Sequence, residues 1–485
     1  MIEKRKMTLN ERVYTVAEKL APPFVLQFII KGKGIIEPVK MREAVAKLAE
    51  KLPVMRLQLV GRTWHFDGPL PEVISHEGPI PEDFSDSIFK KPLDPFSGRC
   101  MEIHLFHGEN TSVLFRILHS IVDGKGAQLV LTSLFSMLRG DEIDINPGFI
   151  SDIEVRKKLA SPAHGEREGY GFKWPCFSLS ENNHSGFVSG TILFPERIEA
   201  PLAKCAVWFA NRFNQSARML IPVDLRRHEV VENMAANLSL PIYLKIDPGQ
   251  TWNEVQGNLL GALAENKELA AESMENFGLF APDFVLEGLM KYVIKQAGRK
   301  NRYPMSGFLS DVGVWDLETV STSDFEANDV ITLPVFVPLA PFSVNVLHHS
   351  GGTRMSVSVP EHIDVFSLLE EIEEHILAEE SALKSVGATV ETRLIASLQD
   401  HPLFPELQQI WSEILELPIE KINSETTFHQ LGGDSIKLLF MLSEVSDEYI
   451  DGPASTFMSK ALNTGGHINI RSLIDIIESF RPENL

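Results

Sequence analysis

The segment Leu431-Gly432-Gly433-Asp434-Ser435-Ile436 constrains the C-terminal part of this chain more than any other stretch. Two adjacent glycines permit a tight turn, and Asp and Ser are favoured where a helix begins. Apolar residues follow at Ile436, Leu438, Leu439, Met441 and Leu442, at the spacing of a helix with a buried face. The pattern predicts an exposed turn that presents the Ser435 hydroxyl at the head of that helix. Residues 407–415, 435–445, 456–462 and 470–480 read as four short helices, a small bundle over 404–485.

Composition narrows the remaining choices. The chain has 485 residues, room for roughly three units of ~150. Its 44% hydrophobic and 23% charged residues are ordinary for a globular protein. No apolar run approaches the ~18 residues of a membrane span, and the basic start, Met1 to Lys6, lacks the apolar stretch of a signal peptide. Three cysteines (Cys100, Cys176, Cys205), far apart and without a CxxC pair, are expected to be reduced thiols of a cytoplasmic protein. A net charge of −21 argues against nucleic acid or an anionic membrane as partner. Residues 396–485 hold 14 acidic and 5 basic side chains, an acidic module suited to docking on basic patches.

Ahead of the C-terminal module the pattern mixes strands and helices in two blocks. In the first, about 1–165, residues 24–30, 100–106 and 112–118 read as strands, and 43–51 and 128–138 as helices. A polar connector is expected at 160–171. In the second, about 172–385, residues 186–194 and 218–222 read as strands. Residues 252–271 and 284–296 read as helices, 342–347 and 354–359 as a hairpin, and 363–383 as a closing helix. A linker over 386–403 follows. Two α/β blocks in tandem predict two lobes.

The candidate chemistry of the first block is His119-Ser120-Ile121-Val122-Asp123-Gly124, after a strand and before a helix. An imidazole takes up a proton near neutral pH, which suits a group that accepts one from an attacking amine or hydroxyl. A helix starting after Gly124 should disfavour the charged imidazolium. His348-His349 lacks a following Asp-Gly and precedes Ser-Gly-Gly, so a turn is the expected reading. No zinc constellation, phosphate-binding loop or dinucleotide glycine fingerprint is present in the sequence.

The H-x-x-x-D-G segment, with Leu431–Ser435 downstream, resembles the condensation domains of nonribosomal peptide synthetases and the wider superfamily of carrier- and CoA-dependent acyltransferases. The resemblance covers 1–385, and 404–485 resembles an acyl or peptidyl carrier domain. The family has a second histidine where this chain has Leu118; the mechanistic one is kept as His119. The resemblance implies a two-lobed α/β (α+β) chloramphenicol-acetyltransferase-like fold followed by a four-helix carrier bundle. It also implies 4'-phosphopantetheine covalently held on Ser435 and a substrate tunnel between the lobes. His119 is implied as the catalytic residue. Asp123 is implied as a structural partner for an arginine, best matched by Arg226 with Arg227 next to it, and Gly124 as room for the turn. Leu309–Trp315 falls where related acyltransferases carry a Ser-Asn-x-Gly-type stretch; a channel role and a plain strand end both remain open.

The function so implied is amide or ester formation between an acyl thioester and an amine or hydroxyl in a peptide or hybrid polyketide assembly line. Partners would be a carrier bearing the donor, a phosphopantetheinyl transferase and an enzyme that loads Ser435 in trans. Two other readings stand beside it: a carrier-linked acyltransferase that offloads onto a soluble nucleophile, and a scaffold without catalysis. No metal is expected.

Overall fold

The computed structural model describes residues 4–159, 172–179, 186–228, 231–270, 281–390, 401–424, 426–433, 435–450, 457–458, 460–461 and 468–480. The expected connector at 160–171 lies outside them. The chain divides into two compact units, Met1–Glu196 with Arg218–Tyr243 and Glu268–Leu369, and Arg197–Ala217 with Leu244–Lys267 and Glu370–Leu485. Among the described residues no helix is long and apolar enough to cross a membrane.

The first unit is built on sheets. One has five strands in the order Phe325–Leu333, Val25–Gly34, Thr111–Leu118, Met101–His107, Glu72–Glu77. Its first four strands are antiparallel neighbours, and Glu72–Glu77 joins in parallel. The Thr111–Leu118 strand is central and buried along its whole length, so its near-continuous apolar run has a partner on each face. The one charge within it, Arg116, is fully buried and donates to Glu102 at 2.8 Å. Burial alone would raise the Glu102 carboxyl. Hydrogen bonding from His104 and the Arg116 charge bring it down to about 2.

The edge strand Phe325–Leu333 departs from the tandem-block expectation. It belongs to the second block in sequence but pairs with Val25–Gly34 of the first. Its apolar residues Phe325, Val330, Ile331 and Leu333 are buried there. The two blocks are thus interlocked by one strand, which a local pattern cannot reveal.

A six-stranded sheet runs Ser239–Ile246, Ala217–Asp224, Gly307–Val314, Ser343–His349, Gly352–Pro360, Phe187–Phe194. The expected hairpin is present, with strands somewhat longer than expected. Both of its histidines are buried and tied locally: His348 Nδ1 lies 3.0 Å from Thr353 Oγ1, and His349 Nε2 lies 3.2 Å from Asp329. Gly307–Val314 ends in a bulge, where Gly313 N–H donates to Asp311 at 2.8 Å.

In the second unit, the helix Pro201–Phe213 is tied by ion pairs to the long C-terminal helix of the second block, and the helix Trp252–Ala264 packs against Pro201–Phe213. Arg212 reaches Glu371 at 2.8 Å, and the buried Lys204 pairs with Glu380 and lies 4.6 Å over the Trp252 ring. Trp252–Ala264 stops seven residues before the expected 271, because Glu265 and Asn266 break the apolar repeat and Asn266 takes a left-handed φ of 52°. The closing helix, Val365–Val390, runs past the expected 383 into the expected linker.

The C-terminal segment contributes Leu403–Leu415, Ser435–Tyr449 and Ile470–Glu478. Trp411 meets Phe428 edge-on at 5.0 Å at their centre. Of the remaining expected helix, 456–462, residues 457–458 and 460–461 are described, and all four are helical.

Candidate functional site

His119 stands just beyond the end of the Thr111–Leu118 strand, and Asp123 caps the helix Gly124–Arg139. The backbone between them is fastened on both sides. His119 N–H donates to Phe24 O at 3.2 Å, and Asp123 N–H donates to Ala236 O at 3.3 Å. Asn237 Nδ2 donates to His119 O at 2.8 Å. The imidazole lies between two rings, Tyr14 at 4.7 Å and Phe24 at 5.6 Å, the latter nearly parallel at 18°.

The hydrogen bond at Nδ1 sets the tautomer. His119 Nδ1 lies 3.0 Å from the carbonyl oxygen of Val122, which can only accept. Nδ1 therefore carries the proton, and Nε2 of the neutral ring has a free lone pair. Among the described residues Nε2 has no hydrogen bond, yet it is not one of the buried polar atoms cut off from solvent. With 9% of the side chain's residue exposed, the ring is enclosed but its basic nitrogen is reachable. Burial pushes the His119 pKa below its usual value; the Val122 hydrogen bond and the Asp123 charge oppose this. The direction is the one expected from sequence, but the cause is burial rather than the helix start.

Asp123 is occupied by structure. Its carboxylate accepts from Gly126 N–H at 2.7 Å, from Leu238 N–H at 2.7 Å, and from Arg226 at 3.0 Å. Arg226 also reaches Asp224 at 2.7 Å and donates to Met234 O and Ala236 O at 2.8 and 2.9 Å. Burial opposes the Arg226 charge, but Asp123 and Asp224 raise its pKa above the usual arginine value. One guanidinium thus joins the histidine turn to residues 234–238. Arg227 turns elsewhere, to Glu268 at 2.6 Å.

Gly124 does not play the part expected for it. It is the first residue of the helix, it has no left-handed φ, and a Cβ there would meet nothing within 4 Å. The sterically required glycine is Gly126, whose added Cβ would lie 2.8 Å from Ala236 O.

In the C-terminal segment the backbone of Gly432 is left-handed, at φ +97°, and a Cβ on Gly433 would lie 2.2 Å from the Phe428 ring. This turn leads directly into Ser435–Tyr449, so Ser435 sits at a helix N-terminus, where a phosphate diester is favoured. The residues present therefore fit a phosphopantetheine attachment. The Ile436 side chain lies outside the described residues; Phe440 on the same helix is 48% exposed while Leu438, Met441 and Leu442 are buried.

Sequence reasoning missed Tyr14, Phe24 and Asn237. None lies near the motif in sequence, and each is brought to His119 only by tertiary packing.

Comparison with known proteins follows the same division. Residues 405–461 match the family described as phosphopantetheine attachment site. Nonribosomal peptide synthetase 32 of Fusarium pseudograminearum is 37% identical over 70 residues, which is 14% of this chain and 1% of that protein. Nonribosomal peptide synthetase vlms of a Lecanicillium species is 53% identical over 38 residues. The chain thus spans about a hundredth of the first of these relatives. Among solved structures, the starter condensation domain of rhizomide synthetase RzmA, in complex with C8-CoA and Leu-SNAC, matches 77% of this chain and 93% of its own, with a TM-score of 0.55 at 13% identity. Polyketide synthase associated protein 5 from Mycobacterium tuberculosis matches 77% of this chain and 97% of its own, with a TM-score of 0.53 at 16% identity. The chain therefore has a condensation-domain fold, and its C-terminal segment is a carrier that takes covalent 4'-phosphopantetheine.

Proposed function

We propose that this chain, a condensation-domain fold joined to a phosphopantetheine carrier segment, is an acyltransferase of a nonribosomal peptide or hybrid polyketide assembly line. It forms an amide or ester between an acyl thioester and an amine or hydroxyl. The observation that carries this reading is His119: its Nδ1 is committed to Val122 and its Nε2 is lone-paired and reachable. Nε2 takes the proton of the attacking amine or hydroxyl and returns it to the departing thiol. The hydrogen bonds from Asn237 and to Phe24 fix the His119 main chain, Val122 O orients the ring, and Asp123 with Arg226 holds the turn.

Ser435 is the attachment residue in this reading. When bound, 4'-phosphopantetheine supplies a long flexible thiol that holds a substrate as a thioester. The acceptor is the simplest cargo for this carrier, with the donor arriving on a second carrier protein. Residues 391–402 are too few to hold a loading domain between the two parts, and in this reading Ser435 is charged in trans. A phosphopantetheinyl transferase installs the arm.

The test is a comparison of three chains, wild type, His119→Ala and Ser435→Ala, each treated with CoA and a phosphopantetheinyl transferase and then with acyl donors. Ser435→Ala should gain no mass. His119→Ala should gain the arm and its cargo but form product at least a hundredfold more slowly, in line with general-base catalysis of ~10²–10⁴. Equal product formation by His119→Ala would overturn the catalytic reading in favour of a scaffold.

A further inference from the structure

The two rings against His119 come from one short stretch of chain. Tyr14 lies on the helix Leu9–Leu20, and Phe24 follows shortly after its end. The rings also meet each other, with centroids 5.1 Å apart. How this stretch is fastened therefore decides how the imidazole is set.

Glu18 stands one helical turn after Tyr14, on the same side of the helix. It is 7% exposed, and both of its carboxylate oxygens are engaged. Oε1 accepts from Leu93 N–H at 3.0 Å, and Oε2 accepts from Phe24 N–H. The carbonyl of the same Phe24 accepts from His119 N–H, and its ring lies along the imidazole. Among the described residues no hydrogen bond joins Glu18 to the imidazole itself, so its influence passes through Phe24. Burial raises the Glu18 pKa to about 7, against the two backbone hydrogen bonds and the Arg116 charge. Arg116 reaches it from the strand before His119 and is itself paired with Glu102. Lys19 on the same helix and Asp94 next to Leu93 are the other charged groups of this wall. The ionised acid accepts with both oxygens; the neutral acid keeps one good acceptor.

Resting on the acyltransferase reading for its catalytic meaning, we propose that Glu18 is a positioning residue for His119: its carboxylate fixes Phe24, and the Phe24 carbonyl and ring set the imidazole for proton transfer at Nε2. Leu93 N–H anchors the carboxylate from the other side, so the helix, the Phe24 segment and the Leu93 segment share one buried joint. Protonation of Glu18 leaves one acceptor in place. It shifts the ring slightly and leaves the acid limb of turnover to His119 itself.

The experiment reads the imidazole directly. The full chain, labelled with ¹³C at histidine Cε1, is followed by NMR, and the His119 signal is identified by its absence from His119→Gln. At pH ~8, where a free Glu and a free His have both lost their protons, Glu18→Ala should move this signal toward the free-histidine position. Thr15→Ala, whose hydroxyl donates to Glu11 O within the same helix, should leave it in place. On titration the wild type should show a small second step near a pH of about 7 besides the histidine's own, and Glu18→Gln should lose that step. With acyl donors, Glu18→Ala should lower kcat by about ten- to a hundredfold and change KM by less than about threefold, as a misplaced catalytic group does. Glu18→Gln keeps one acceptor and should stay within about threefold of the wild-type kcat. An unmoved signal in Glu18→Ala, a step that persists in Glu18→Gln, or a loss carried by KM overturns the positioning role. If Glu18→Ala does not fold, the step in Glu18→Gln decides alone. Predicted NMR behaviour in a wild type that forms no product would sink the acyltransferase reading and leave the positioning standing; product formation that Glu18→Ala leaves unchanged would do the reverse.

Discussion

His119 Nδ1 lies 3.0 Å from the carbonyl oxygen of Val122, three residues ahead in the same turn. The turn thereby orders its own histidine: a backbone acceptor holds the proton on one nitrogen and leaves the other basic. Asp123, next to Val122, is meanwhile committed to Arg226 and to two backbone N–H groups. His119 thus keeps one ring nitrogen uncommitted, while the Asp123 carboxylate is spent on holding the turn.

The first prediction concerns pH. Burial lowers the folded pKa of His119, so Nε2 stays unprotonated to a lower pH than in a free histidine. The acid limb of a kcat/KM profile should have its midpoint below ~6.5. The same shift has a stability consequence. The unfolded chain binds this proton at higher pH than the folded one, so the contribution is complete above ~6.5 and is lost as pH falls through the folded pKa. Urea unfolding of wild type and His119→Gln should diverge only in that acidic window.

Removing Arg226 leaves Asp123 buried without its charge partner, a change that costs roughly 3–5 kcal/mol when one member of a buried pair is lost. Arg226→Ala should show this loss in denaturant unfolding. Arg226→Lys should recover little, because one ammonium cannot serve Asp123, Asp224, Met234 and Ala236 together.

The two glycines after Asp123 separate in a simple experiment. Gly126→Ala drives a Cβ to 2.8 Å from Ala236 O and should destabilise the chain by about 1–3 kcal/mol, read as a lower Tm. Gly124→Ala meets no atom and should leave the Tm unchanged or slightly higher, since alanine is the better helix former.

In the carrier, Gly433→Ala would place a Cβ against the Phe428 ring and disturb the turn ahead of Ser435. The rate of phosphopantetheinylation, followed by intact mass, should fall at least tenfold. Phe428→Leu in the same chain should restore part of it by clearing the ring.

The sequence was legible where information is local. The strand before His119, the helix after Asp123 and the Gly432-Gly433 turn all follow from short-range pattern and cap chemistry. So did Arg226, through family resemblance. What stayed hidden depends on distant pairing. Phe325–Leu333 reads as any β segment, and nothing nearby says that it will bond to Val25–Gly34. Tyr14, Phe24 and Asn237 reach His119 from separations of about a hundred residues.

The central claim is that His119 acts on cargo held through Ser435. Intact-mass spectrometry of the charged chain, after addition of a donor-loaded carrier protein, tests it most directly. The account predicts that the wild type gains the donor's acyl mass on Ser435-linked cargo within minutes, and that His119→Ala, equally charged, does not. Equal gains in both chains would contradict it.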